Sequence, residues 1–332
     1  MKPFSLIRPA SLDEARAAVT AAPEHVLRAG GVDLIDQMKE GLARPSALVE
    51  LRTVSDAPAL RELARDGDGA WSLGALVTLA QLAAASEFGA ELAALREAAG
   101  SAATPSIRSM ATLGGNLLQR PRCWYYRHAE LVCLKKGGSH CLAINGDHRY
   151  HAILGGGPSW IVHPSTLASA LLALDARVEL AGAEARALPI AELFVGPKED
   201  ATREHRLAPG EILTRVTIPA AAPGQRSAYE AVKEKQSHDW PLAEVAVNVT
   251  VESGTIKAAR VALGHVAPIP WRAEAAEAAL VGQQPSAALI ERAAAAATEG
   301  AKPLKRNAYK IPLTRGLVRA TLHRALEVAS PA

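Results

Sequence analysis

The run "AEVAVNVTVESGTIKAARVALGHV" (243–266) is the strongest constraint in the chain. Apolar residues alternate along its first half, Ser253-Gly254 interrupts the pattern, and a second apolar run follows. A period of two broken by a turn pair specifies a β-hairpin, hence an antiparallel sheet in the last third of the protein. One face of such a sheet must be covered. The material for a cover follows directly: alanine-rich helical stretches around 272–281 and 286–299, then a closing helix over "LTRGLVRATLHRALE".

The other end of the chain is patterned differently. "FSLIRPA" reads as a short strand. Ser11 and Glu14 then form a capping box before the helix "LDEARAAVTAA". "HVLRAGGVDL" runs from a strand into a glycine turn, "LIDQMKEGL" is a short helix ending near Gly41, and "SALVELRTV" is another strand. A second lobe becomes legible near Trp71, with "WSLGALVTLAQLAAA" and a helix across "ELAALREAAGSA". "SWIVHPSTLASALLALDARVEL" reads as strand, helix, strand with Ser165 as cap, and the charged run "RELARDGDG" as a solvated face. The expected architecture is α+β in three small lobes: 1–55, 56–185 with a loop-like, cysteine-bearing insert at about 120–160, and 228–332, joined by a polar connecting region over 186–227.

Composition bounds the function. With 332 residues and 49% apolar content the chain can bury real cores. A net charge of +3 with dispersed basic residues argues against nucleic-acid binding. No apolar run is long enough to span a membrane. The N-terminus shows neither a signal-peptide core nor a twin arginine. The cytoplasm is the expected compartment.

Two glycine pairs stand out, in "RAGGVDL" and "ATLGGNL". Glycines let backbone N–H groups approach an anion, and consecutive amides can form a nest for it. Neither loop is GxGxxG or Walker A, so the Rossmann and P-loop readings fail. No GxSxG or HExxH occurs, which leaves a bound cofactor as the better source of chemistry. Cys123, Cys133 and Cys141 are the only cysteines and share one short window, interleaved with His128, His140, His148 and His151. Three cysteines cannot complete a four-thiolate set. The spacing is not the close-paired one of a structural zinc site; buried thiols and an iron–sulfur cluster both remain compatible with it, and the interleaved histidines leave zinc or mixed ligation open.

Several segments, in order, resemble one family. "RAGGVDLIDQMKEGLARPSALVEL" and "TPSIRSMATLGGNLLQRPRCWYYR" resemble the two flavin-binding segments of the FAD-binding medium subunits of molybdenum hydroxylases, the xanthine dehydrogenase and carbon monoxide dehydrogenase type. "HPSTLASALLALDARVEL", "AYEAVKEKQSHDWPLAEVAVNV" and "LKRNAYKIPLTRGLVRATLHRAL" are similar to the segments that follow. The cysteine region resembles the insert of a subgroup carrying an extra 4Fe-4S cluster, that of bacterial aldehyde oxidoreductase and 4-hydroxybenzoyl-CoA reductase.

The resemblance implies a two-lobed FAD-binding fold of the vanillyl-alcohol oxidase type, with a small C-terminal α+β lobe sheltering the flavin. Arg28, Ala29, Gly30, Gly31, Val32, Asp33 and Leu34 would line the diphosphate. Thr104, Ser106, Thr112, Gly114, Gly115 and Asn116 would form the opposing wall, with Thr166 and Lys233 nearer the ring. Cys123, Cys133, Cys141 and, at the fourth cysteine's place, Ser159 would hold a 4Fe-4S or 3Fe-4S cluster. Val32 stands where the family has Thr, Thr166 where it has Asp, and Ala231 where it has Lys.

The implied role is electron transfer in a heterotrimer. A large partner would carry the molybdenum cofactor and a small partner 2Fe-2S clusters, with an external acceptor taking the electrons. A partner bearing a twin-arginine signal would carry the chain to the periplasm instead. The alternatives are a flavin-free scaffold subunit of the same complex and a standalone FAD oxidoreductase.

Overall fold

A computed structural model describes residues 1–236 and 238–329. The first lobe is a parallel sheet of β1 (Ser5–Ile7), β2 (His25–Arg28) and β3 (Ala47–Glu50), in the order β1-β3-β2. Parallel neighbours need crossovers, and helices Leu12–Thr20 and Val32–Lys39 supply them. Ser11 caps the first helix by accepting from Glu14 N at 3.0 Å. Glu14 returns its carboxylate to Ala10 N at 2.7 Å, one residue upstream of the usual box. Gly31 caps the second helix in the left-handed region (φ 75°), which explains glycine at that position.

The second lobe is an antiparallel sheet of β4 (Leu63–Arg65), β5 (Trp71–Gly74), β6 (Arg177–Ala181), β7 (Arg186–Pro189) and β8 (Ile212–Ile218), in the order β4-β5-β8-β6-β7. Three expectations change here. The region 186–227 is not a connector: β7 is an edge strand of this sheet and β8 is its central strand, paired to β5 and β6. "RELARDGDG" is the first strand of a hairpin closed by Asp66–Gly69, not simply a solvated face. "SWIV" forms no strand. It lies alongside the third lobe instead, with Trp160 O accepting from Ala152 N and His163 N donating to Ala267 O. Helices Leu79–Ala84, Ala93–Ser101 and Thr166–Ala173 bury the sheet in an alanine- and leucine-rich core, where Trp71 meets Phe88 edge-on.

The third lobe begins at β9 (Gln225–Val232) and continues through β10 (Ala243–Glu252), β11 (Thr255–Gly264) and β12 (Trp271–Arg272), in the order β12-β11-β10-β9. The expected hairpin is β10–β11. Ser253 and Gly254 both have positive φ (49° and 74°), the signature of a type I′ turn. Helices Glu274–Leu280, Ala287–Ala296 and Lys310–Leu326 pack on it. The insert is stitched to this lobe: Ile153 and Leu154 N–H donate to Val266 O, and Asn307 Nδ2 donates to the carbonyls of His151 and Ala152.

Candidate functional site

A cleft of about 830 Å³ opens where the two glycine segments face each other, and the third lobe supplies its remaining wall. Of the residues assigned to a cofactor from sequence, all line it except Thr104 and Ser106. Thr104 caps the short helix Pro105–Arg108, accepting from Ile107 N, and Ser106 is exposed. Ala103 and Ile107 take their places on the wall.

The two glycine pairs do different work. Helix Val32–Lys39 has no side-chain cap bond. The first-turn N–H groups of Val32, Asp33 and Leu34 are therefore left without a capping side chain, at the positive end of a helix whose first residues line the cleft. Gly30 serves packing: a Cβ there would overlap the carbonyl oxygen of Met110 and lie 2.9 Å from its carbon. The two segments thus touch backbone to backbone.

The second pair does not form the expected nest. Leu113 N donates to Val77 O (2.8 Å), Gly114 N to Ala75 O (2.9 Å), Gly115 N to Thr112 Oγ1 (3.2 Å) and Asn116 N to Thr112 O (2.8 Å). Those amides are already satisfied. What the segment presents is side-chain-free backbone, the Thr112 hydroxyl and the Asn116 amide. Asn116 Oδ1 accepts from Ser165 Oγ (2.7 Å) and Leu167 N (3.3 Å), leaving Nδ2 as its donor.

Asp33 lines the cleft but spends its carboxylate on protein partners. Its carboxylate takes Arg122 Nη2 (2.9 Å), Arg127 Nη2 (2.6 Å), Arg120 N (2.9 Å) and Gln37 Nε2 (2.8 Å). It ties helix Val32–Lys39 to the segment entering the insert.

Sequence reasoning missed Arg122. That arginine lines the cleft, stacks on the Trp240 ring at 4.6 Å, and has a buried Nε without a partner. Arg28 Nε is likewise buried and unpartnered, while Arg28 Nη1 pairs with Glu50. Two arginines with unspent donors beside uncapped helix amides fit an anionic diphosphate. Lys233 also lines the cleft and donates to the Ser101 carbonyl, and burial lowers its pKa from the ordinary value.

The insert is rigidly held. Lys135, almost fully buried, pairs with Glu204 at 2.7 Å and donates to the carbonyls of Ala201 (3.0 Å) and Arg203 (3.1 Å). Cys133 and Cys141 are buried and Cys123 is partly so. Among the described residues no group of three or more His, Cys, Asp or Glu side chains is placed to hold a metal ion, Cys123, Cys133 and Cys141 included. His151 Nε2 lies 3.2 Å from Cys123 Sγ. Burial pushes the Cys123 thiol up to about 12 and His151 down to about 4, so the pair is neutral rather than a reactive thiolate–imidazolium. Ser159 is buried in the glycine-rich turn, its carbonyl accepting from Gly157 N. Trp124 and Tyr125 surround His151, whereas Tyr126 lines the cleft. The aromatic triplet therefore separates cleft from cysteine loop.

No helix among the described residues is long and apolar enough to cross a membrane. Residues 2–221 match the model of the FAD binding domain in molybdopterin dehydrogenase, and residues 227–325 that of the CO dehydrogenase flavoprotein C-terminal domain. The chain is 32% identical to the aldehyde oxidoreductase FAD-binding subunit PaoB of Escherichia coli K12, over 98% of this chain and 99% of that one. It is 30% identical to the carbon monoxide dehydrogenase medium chain of Afipia carboxidovorans, over 97% and 96%. Its fold matches a chain of carbon monoxide dehydrogenase from Hydrogenophaga pseudoflava with a TM-score of 0.76 at 28% identity, covering 99% of this chain and 100% of that one. With both lobe models matched in order along nearly its whole length, the chain belongs to the FAD-binding subunits of the molybdopterin dehydrogenase family.

Proposed function

We propose that this chain is the electron-transfer FAD subunit of a three-subunit molybdenum hydroxylase. The observation that carries the reading is the cleft itself: the uncapped first turn of helix Val32–Lys39, Thr112 and Asn116 line it together, with Arg28 and Arg122 alongside. Arg28, the first-turn amides and Arg122 would hold the diphosphate, and Lys233 and Trp240 would border the ring. Bound there, a flavin supplies one- and two-electron exchange. The organic substrate would be oxidised at a molybdenum cofactor on a large partner. Electrons would come through 2Fe-2S clusters of a small partner and leave to an external acceptor. The chain would work in the cytoplasm, or in the periplasm if a partner carries it there.

The cysteine loop extends this reading. Cys123, Cys133 and Cys141 would ligate a 4Fe-4S or 3Fe-4S cluster, with Ser159 as the fourth donor. Thiolate is the preferred ligand of such clusters, so an oxygen donor leaves one iron labile. His151 is a nitrogen donor already at Cys123.

The test is cofactor analysis of the anaerobically purified complex. About one noncovalent FAD per copy of this chain is expected. Iron and sulfide should exceed what the small subunit accounts for, and the excess should fall in Cys133→Ala. A complex without flavin defeats the flavin assignment; an iron excess near zero, unchanged by Cys133→Ala, defeats the cluster. The FAD-loaded chain alone should not oxidise an aldehyde or purine, because the organic substrate would be oxidised at the molybdenum cofactor of the large partner.

A further inference from the structure

Behind the third-lobe wall of the cleft lies a fully buried carboxyl group, Glu244, near the start of β10. Its faces are known. Ser169 Oγ donates to Oε1 at 2.8 Å and Tyr229 OH to Oε2 at 2.8 Å. His265 Nε2, itself buried without a hydrogen-bond partner, stands 3.7 Å from Oε2. Lys233 is the nearby cation. The chain makes room for this group: a Cβ at Gly264 would overlap the Glu244 carboxyl. The next residue, His265, is held at φ 58°, a conformation that costs energy outside glycine and persists only where surrounding structure enforces it. Lys310, also fully buried, fixes that turn by donating to His265 O (2.8 Å) and Tyr150 O (2.7 Å).

Two chains of contact place Glu244 close to the cleft. Ser169 sits about one helical turn beyond Thr166, which lines the cleft, so the carboxyl lies close behind that wall. On the other side, the Tyr229 hydroxyl accepts from Ser101 Oγ at 3.4 Å, and the Ser101 carbonyl accepts from Lys233 Nζ on the cleft wall.

A buried carboxylate met by two hydroxyls and a distant ammonium is poorly compensated. Burial pushes Glu244 up to about 8, opposed by the Tyr229 and Ser169 hydrogen bonds and by Lys233. His265, facing Lys310, His163 and Lys233, is held neutral by burial. Negative charge added to the cleft would repel the carboxylate across a low-dielectric wall and raise its proton affinity further.

We propose that Glu244 is a redox-linked proton site of this subunit: its carboxylate takes up one proton when a flavin in the cleft gains electrons, and releases it when the flavin is reoxidised. The proposal rests on the cleft holding a flavin. The electrons come from the small partner and leave to the external acceptor. The proton comes from solvent, forms an O–H bond on a Glu244 carboxyl oxygen, and returns to solvent on reoxidation.

The experiment is a redox titration of the flavin in the whole complex across the neutral and alkaline range, with reduction-induced infrared difference spectra. In the wild type the plot of midpoint potential against pH should bend where Glu244 ionises in the oxidised form. On the alkaline side reduction should raise a carboxylic-acid C=O band. Glu244→Gln should abolish both while keeping flavin. Tyr229→Phe removes one donor to the carboxylate and should move the bend to higher pH. A flavin-loaded Glu244→Gln complex with the same bend and band overturns the proposal. If that variant does not assemble, an unmoved bend in Tyr229→Phe overturns it. A wild-type complex without flavin overturns the functional reading and this proposal together.

Discussion

A Gly30→Ala variant is expected to purify with little or no flavin and to melt well below the wild type. The side chain added is one methyl group, but it has nowhere to go. It would overlap the Met110 carbonyl and lie 2.9 Å from the Met110 carbon and 3.3 Å from Ala111 Cα, all backbone atoms. Backbone cannot rotate away as a side chain can, and this stretch is pinned: Met110 N and Ala111 N both donate to Ile107 O, and Ala111 O accepts from Leu79 N. The two cleft-facing segments must separate. Overpacking a core costs about 1–3 kcal/mol even where side chains can adjust, and here the displaced elements are the two walls of the cleft. Gly115→Ala is the control. Its Cβ would meet only Thr112 Oγ1 at 2.9 Å, so most flavin should be retained. Gly115→Leu should lose it, because the longer side chain would fill the cleft. Flavin absorbance per chain and the melting temperature of the complex decide the matter. A Gly30→Ala complex with full flavin and an unchanged melt means the two loops do not depend on this contact.

That contrast shows where sequence reading succeeds. Both glycine pairs are visible as backbone devices, and family resemblance implies that they stand on opposite walls of one cleft. The purpose of each glycine is not visible. Gly31 needs its left-handed φ and Gly30 needs to touch Met110, a residue distant in sequence. The second pair looks like an anion nest, yet the Val77 and Ala75 carbonyls, on the chain entering from β5, have already taken two of its amides.

The same division runs through the fold. The β10–β11 hairpin and the capped helices at Ser11 and Ser165 carry local signals, namely alternation, a turn pair and a hydroxyl cap, and they form as those signals dictate. β8 carries no local sign of its partners. It enters the second sheet between β5 and β6 through pairings such as Leu73 with Val216 and Val178 with Val216. A Pro- and Gly-bearing neighbourhood makes it read as a linker, and only the three-dimensional arrangement shows it to be central. Arg122 and Trp240 escaped for a related reason: each is unremarkable alone, and their stacking across two lobes is what places both on the cleft.

Asp33→Ala should be the most damaging charge change in the first lobe, judged by the denaturant concentration at which flavin is released. Flavin release suits a multi-subunit complex, for which a single unfolding free energy is poorly defined. Asp33 accepts from the insert segment through Arg122, Arg127 and the Arg120 amide. The Arg127 side chain is only 8% exposed, so removing its carboxylate leaves a buried cation short of a partner. Breaking a buried pair from one side costs about 3–5 kcal/mol. That is an upper bound here, because Glu40 at 3.1 Å still reaches Arg127 and Asp36 at 3.0 Å still reaches Arg122. Asp33→Asn keeps an acceptor oxygen and should lose less. Arg127→Met leaves Asp33 with Arg122, Gln37 and the Arg120 amide, and should also lose less than Asp33→Ala. Combined with Arg127→Met, Asp33→Asn should cost less than the sum of the two single changes, the coupling expected of residues in one network. Added salt should leave these differences standing, since a pair this buried is weakly screened, in contrast to the exposed Arg206–Glu199 pair. Additive losses, or an Asp33→Ala release midpoint equal to the wild type, would mean that Asp33 does not fasten the insert segment to the cleft-lining helix.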